Sequence, residues 1–205
     1  MRKFLKMLPL IVLMALAQNV MGQGVFTSNA SGNWSDASKW TLNSGSDVDG
    51  VPDSDDDVTI AASQTITLDA NSACNNITLL TTSGTNLDLA AFILEVSGTI
   101  NGANTSLTST LIISTTGRIK FIGNSRALFG TNWAGVTTGL RFEVDLNIGQ
   151  TGTASTTVKA KEVILTTGIF SLGASELRPD DGNALGGILT IGNGTTLICA
   201  RVSRT

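Results

Sequence analysis

The stretch VTIAASQTITLDANSACNNITLLTTSGTNLDLAAFILEVSGTINGANTSLTSTLIISTTGRIKF, residues 58–121, decides the fold. It repeats a short unit of one apolar, one polar and one apolar residue. The units are Val58-Thr59-Ile60, Ile66-Thr67-Leu68, Ile77-Thr78-Leu79, Leu87-Asp88-Leu89, Leu94-Glu95-Val96 and Ile119-Lys120-Phe121. Side chains on a strand alternate between faces, so each unit is expected to bury its outer residues and show its middle one to water. Val58 to Ile77 is 19 residues, Ile66 to Leu87 is 21, and both Ile77 to Leu94 and Leu94 to Leu111 are 17. Two triplets per turn at this spacing predict a solenoid of stacked parallel coils. Turn formers separate them: Ser83-Gly84-Thr85, Ser97-Gly98-Thr99, residues 101–104 and 115–117.

A β-sandwich is the competing architecture, since frequent turns suit it too. The triplets are shorter than the five or six residues typical of sandwich strands. Aromatic residues are 5% of the chain, where sandwich cores lean on them. The expectation is therefore an all-β parallel solenoid.

Working outward, Ser125 to Gly139 reads as a protruding loop holding Phe129 and Trp133. Phe142 to Leu146 resumes alternation, Thr151 to Thr157 reads as a polar turn, and Val163-Ile164-Leu165, Ile169 to Leu172, Leu189 to Ile191 and Leu197 continue the stack. Pro179 to Asn183 is a turn cluster. After the strand Leu197 to Ala200 comes only Arg201 to Thr205, with nothing resembling a cap. The expectation is a truncated solenoid or an assembly-prone last coil.

Toward the amino terminus, Asp47, Asp49, Asp53, Asp55, Asp56 and Asp57 crowd into eleven residues. Such a loop could hold calcium, which takes several oxygen ligands. It lacks the glycine and closing glutamate of an EF-hand, and a turn whose Asp accepts backbone amides is the other reading. No metal or cofactor is assigned from the sequence. Trp34 and Trp40 stand six apart. An extended segment would put both rings on one side, either as a lid over the first coil or as a platform for a sugar ring.

Residues 1–22 read as a secretory signal peptide. Arg2, Lys3 and Lys6 precede the short apolar run Leu8 to Ala17, and Val20-Met21-Gly22 suits cleavage before Gln23. The expected location is extracellular, secreted or at the cell surface, with no membrane insertion after cleavage. Cleavage leaves 10 basic and 16 acidic residues, a net charge of −6. That balance disfavours nucleic acid and anionic membranes. The expected domain plan is signal peptide 1–22, an amino-terminal cap with the acidic loop 23–57, and coils 58–205.

The block GNWSDASKW (residues 32–40), Val51-Pro52 and Asp56-Asp57-Val58-Thr59-Ile60 resembles the opening segment of bacterial secreted and cell-surface parallel β-helix proteins of the adhesin-like kind. It is also similar to the start of the eight-glycine extracellular domain of some animal surface proteins. Ile77–Leu80 and Ser97–Asn104 resemble the coils that follow. The resemblance covers residues 31–123 well and the rest loosely. It implies a right-handed single-stranded parallel β-helix with a tryptophan-containing cap, exported in many such proteins by type IX secretion. Their usual carboxy-terminal sorting domain is not seen in this chain.

The chain contains no histidine, which excludes histidine-based nucleophilic catalysis and histidine-ligated metals. No phosphate-binding P-loop occurs. Asp88, Glu95, Glu143 and Asp145 are outward acids that could serve a polysaccharide lyase or hydrolase. That reading rests on fold analogy, and Asp88 and Glu95 are expected on different sides of the coil. The leading expectation is a non-catalytic surface scaffold or adhesin module, with a Thr/Ser/Asn-rich face offered to glycans or other surface proteins. Cys74 and Cys199 are expected as two small buried residues about six coils apart, too far for a disulfide.

Overall fold

The structure is a computed structural model and describes residues 22–80, 84–102, 112–113, 116–130, 140–155, 157–179 and 188–202. Residues 1–21 of the proposed signal peptide, Leu111, Trp133 and the turn after Pro179 lie outside the described residues.

The described chain winds into a β-solenoid with three strand-bearing faces. The first face runs Val25–Ser28, Asp57–Ile60, Ile77–Leu79, Ile100–Gly102, Arg126–Phe129, Thr151–Ala154, Ile169–Ser171 and Thr196–Ile198. The second face has Gly32–Asn33, Thr65–Thr67, Asn86–Asp88 and Ile112–Ile113, then a separate sheet of Val158–Ala160, Glu176–Pro179 and Arg201–Val202. The third face has Ser72–Cys74, Ile93–Val96, Arg118–Gly123, Arg141–Leu146, Glu162–Thr167 and Ile188–Ile191. Five coils have all three strands described: 57–74, 77–96, 100–123, 151–167 and 169–191.

The pairing is parallel and in register, so apolar side chains form columns. Val58 faces Ile77, which faces Ile100. Ile66, Leu87 and Ile112 form a second column. A third runs Leu94, Ile119, Phe142, Val163 and Leu189. All six triplets bury their outer residues and leave their middle residue partly exposed. Each buried aliphatic contributes roughly 1.5–3 kcal/mol of transfer free energy, and its neighbour in the column keeps it dry. Phe121, Phe129, Phe142 and Phe170 meet edge to face, with centroids 5.2–6.3 Å apart.

The coil has three strands, not the two that the triplets suggest. Leu94 is therefore on a different face from Val58 and Ile77, and the 17-residue step from Ile77 is no repeat. The true step on the first face is Ile77 to Ile100. Two features hide this. The third face opens on Ser72-Ala73-Cys74, whose small side chains carry no aliphatic signal. Ile100–Gly102 is a strand that takes in residues 101 and 102 of the expected 101–104 turn, and its inward Gly102 has no side chain.

Two further segments join the ladder. Arg126–Phe129 pairs with Ile100–Gly102 and Thr151–Ala154 and is not a protruding loop. A register shift between Ala127 and Phe129 breaks its alternation, so Leu128 and Phe129 are both buried. Thr151–Ala154 is likewise a strand and not a polar turn. Its inward positions are Gly152 and Ala154, and Gly152 makes room for Leu128, whose Cδ1 would lie 2.5 Å from a Cβ at that position.

The coil corners explain the recurring Asn. Only Asn75 and Asn76 separate Cys74 on the third face from Ile77 on the first. Asp57 Oδ1 accepts from the Asn76 amide and from both Asn side chains, at 2.8–3.2 Å. Asn76 Oδ1 in turn accepts from Thr99 N at 2.8 Å, linking three coils.

Parallel pairing starts before the triplets, at Val25–Ser28, which pairs with Asp57–Ile60. On its other edge lies Trp40–Ser44, antiparallel. The segment between Trp34 and Trp40 is not extended, because Ala37–Lys39 forms a 3-10 turn with Asp36 accepting from Ser38 N. The indoles still meet edge to face, 5.1 Å apart. Trp40 Nε1 donates to Trp34 O at 2.8 Å, and Trp34 Nε1 donates to Pro52 O at 3.2 Å. Both rings are buried. A ring enclosed in this way offers no face for a sugar to stack on.

Candidate functional site

Three places gather the chemistry-bearing residues. The first is the acidic loop between Trp40–Ser44 and Asp57–Ile60. Asp47, Asp53 and Asp56 bring carboxylate oxygens within 4.8 Å of one another. These oxygens are engaged by main-chain amides. Asp47 accepts from Gly50 N, and Asp53 Oδ1 accepts from Asp55 N at 3.3 Å. Buried Asp56 accepts from Gly24 N at 2.6 Å and from Asp53 N at 2.9 Å. Asp49 Oδ1 accepts from Val51 N. The turn-forming role predicted for one Asp thus falls to four. Burial pushes the Asp56 carboxyl above its ordinary range against the pull of the two amides. A hydrogen bond with the Asp55 side chain, then burial, does the same to Asp53.

The second place is the outward side of the third face. Lys120 lies 3.0 Å from Asp145 and 3.7 Å from Glu95, in the strands on either side. Arg118 pairs with Glu143 at 3.6 Å and Arg141 with Glu162 at 2.9 Å. Thr166 and Thr167 donate to Glu143 and Asp145. Burial alone would raise the Asp145 carboxyl, but the Thr167 hydroxyl and the Lys120 ammonium outweigh it and hold it below its usual range. Of the four acids singled out from the sequence, Glu95, Glu143 and Asp145 share this face. Asp88 lies on the second face, where it accepts from Ala90 N. The structure thus ties each acid to a neighbouring strand or turn. The basic partners Arg118, Lys120 and Arg141 were missed in the sequence because their roles depend on register.

The third place is the corner between the second and third faces of the first coils. Depressions of about 330 and 300 Å³ adjoin there and share Asn71, Ser72 and Ala73. Nothing in the sequence pointed to this groove.

Charge is unevenly distributed along the sequence. Residues 22–102 carry ten acidic side chains and one basic one, Lys39, whereas residues 103–205 carry nine basic and six acidic. Both cysteines are free. Cys74 is buried, and desolvation, then the Asp57 and Asp56 charges, push its thiol far above the usual value. Cys199 is half-buried, where full burial was expected.

No protein-family model, no curated protein and no solved structure matches this chain. Among the described residues, no helix is long and apolar enough to cross a membrane.

Proposed function

We propose that this chain is a non-catalytic, exported surface scaffold of the adhesin-like kind, delivered by its amino-terminal leader and offering its polar outer face to glycans or other surface proteins. The observation that carries this reading is the use made of outward polar groups. The acids of the third face are bound to Lys, Arg and Thr of adjacent coils. Side chains tied coil to coil suit a rigid display surface. In the same reading Trp40–Ser44 and the Trp34–Trp40 pair close the first coil, as solenoid ends require.

The test is incubation of the chain from Gln23 onward with a panel of plant and algal polysaccharides. Retention without product release supports a binding scaffold. Release of reducing ends or unsaturated products, lost in Glu143→Gln or Asp88→Asn, would instead make it a polysaccharide-degrading enzyme.

A further inference from the structure

The groove at the corner of the second and third faces has a physical cause. Its floor is Ala73, the outward residue of the first strand on the third face. In register with it stand Glu95, then Lys120, then Glu143. A methyl group where later coils carry long side chains leaves a trough. Val51 and Pro52 form one wall, and Ile93 with Glu95 forms the other. Asp49 and Asp53 line the same depression as Val51, Pro52 and Trp34.

We propose that this groove binds an extended, lysine- or arginine-bearing segment of a partner protein. The inference rests on reading the chain as a partner-binding surface module, and it names the partner's chemistry. Three carboxylates line the two depressions, of Asp49, Asp53 and Glu95, and among the described residues no basic side chain does. The groove sits in the half of the chain where ten acids face one lysine, and that lysine pairs with Asp36. A cleft with walls of one charge sign concentrates the opposite charge. Val51, Pro52 and Ile93 would cover the methylene stems of Lys or Arg while the carboxylates take the charged heads. Glu95 is the more loosely held of the two carboxylates around Lys120, at 3.7 against 3.0 Å for Asp145, and its side chain is the one of the pair that borders the groove. The trough spans about two coil spacings, ~10 Å, which admits roughly three extended residues. A glycan is the less favoured occupant because the Trp34 ring is buried.

The test uses the chain from Gln23 onward, which contains every described strand. A fluorescein-labelled GRGKGRG peptide is titrated by anisotropy, with a GEGEGEG peptide and a cello-oligosaccharide as comparators. The basic peptide is expected to bind, more weakly as salt rises, and the acidic one is not. Asp49→Asn with Glu95→Gln should weaken binding about tenfold, the product of two exposed ion pairs. Ala73→Leu, which fills the trough without changing charge, should abolish it. Asp88→Asn on the second face should leave it unchanged. Equal weakening by Asp88→Asn would show a diffuse field and no site. Displacement of the peptide by the oligosaccharide would make the groove a carbohydrate site, and no peptide binding at all would end the proposal. In the last case polysaccharide retention would still stand, so the two readings fail separately.

Discussion

The first and the last described coils treat the same kind of residue differently. At the near end Phe26 points inward and is fully buried, because Val25–Ser28 has Asp57–Ile60 on one edge and antiparallel Trp40–Ser44 on the other. At the far end Ile191 stands in line with Leu165 one coil earlier, yet Leu165 is 2% exposed and Ile191 51%. Val202 repeats the contrast against Leu177, at 46% and 0%. Four of the seven large exposed hydrophobic residues among those described, Ile188, Ile191, Ile198 and Val202, lie in the last coils. Pointing inward is set by alternation along one strand, whereas being buried is set by the neighbouring layer. In a solenoid the two come apart at the ends.

Substitutions at matched places sharpen the contrast. The largest effect is expected at the near end. Trp34→Ala should cost about 3–5 kcal/mol of unfolding free energy in urea titration, as large aromatic truncations in a core do. It also leaves Pro52 O without its indole donor. A cost near that of an exposed residue would show that the Trp pair closes nothing. Next comes Asp56→Ala, which strands the amides of Gly24 and Asp53 and should cost about 1–3 kcal/mol. Gly45→Ala should also destabilise, since Gly45 holds a φ of +88° and a Cβ there would lie 2.0 Å from Gln23 O.

Acid titration separates the near end from the middle. Asp145 has a lowered carboxyl, so its contribution is present above the ordinary value of 3.8 and is lost as pH falls through the folded value. The gap in stability between the native chain and Asp145→Asn, roughly 0.2–1 kcal/mol at pH ~7, should therefore close in acid. Asp56 has a raised carboxyl, so its contribution is greatest below 3.8 and declines as pH rises through the folded value. The native chain should accordingly gain on Asp56→Asn as pH drops, the opposite trend. Parallel curves for the two variants would contradict the assigned environments. The smallest effect is expected at the far end, where Val202→Ala should stay within about 0.5 kcal/mol of the native chain.

Much of the fold was legible because aliphatic triplets report alternation directly. The spacings Val58 to Ile77 and Ile66 to Leu87 are true ladder steps. The opening of the third face and parts of the first were not legible, since Ser72-Ala73-Cys74, Gly102 and Gly152 place small residues where the pattern needs large ones. At Leu128 and Phe129 a register shift buries two consecutive residues, which no period of two can report. The acids were visible as acids. Of the two readings of the acidic loop, the amide-accepting turn is the one whose hydrogen bonds the structure displays, with four acids taking the role expected of one. The pairing of the third-face acids with Lys120 and Arg118 was not visible, because it joins residues a coil apart. The groove was least visible of all, since it arises from the methyl of Ala73 beside a loop from another coil.

The central claim is parallel, in-register stacking along one axis. Spin labels placed on the outward column of the third face test it most directly, in a background lacking Cys74 and Cys199. Register runs from Glu95 through Lys120, Glu143 and Ile164 to Thr190. Pairs joining Glu95 to Glu143, Ile164 and Thr190 span two, three and four coils. The inter-label distance should grow by about 4.8 Å per coil, from ~10 to ~19 Å. Distances that fail to grow with coil number, as in two facing antiparallel layers, would contradict the account.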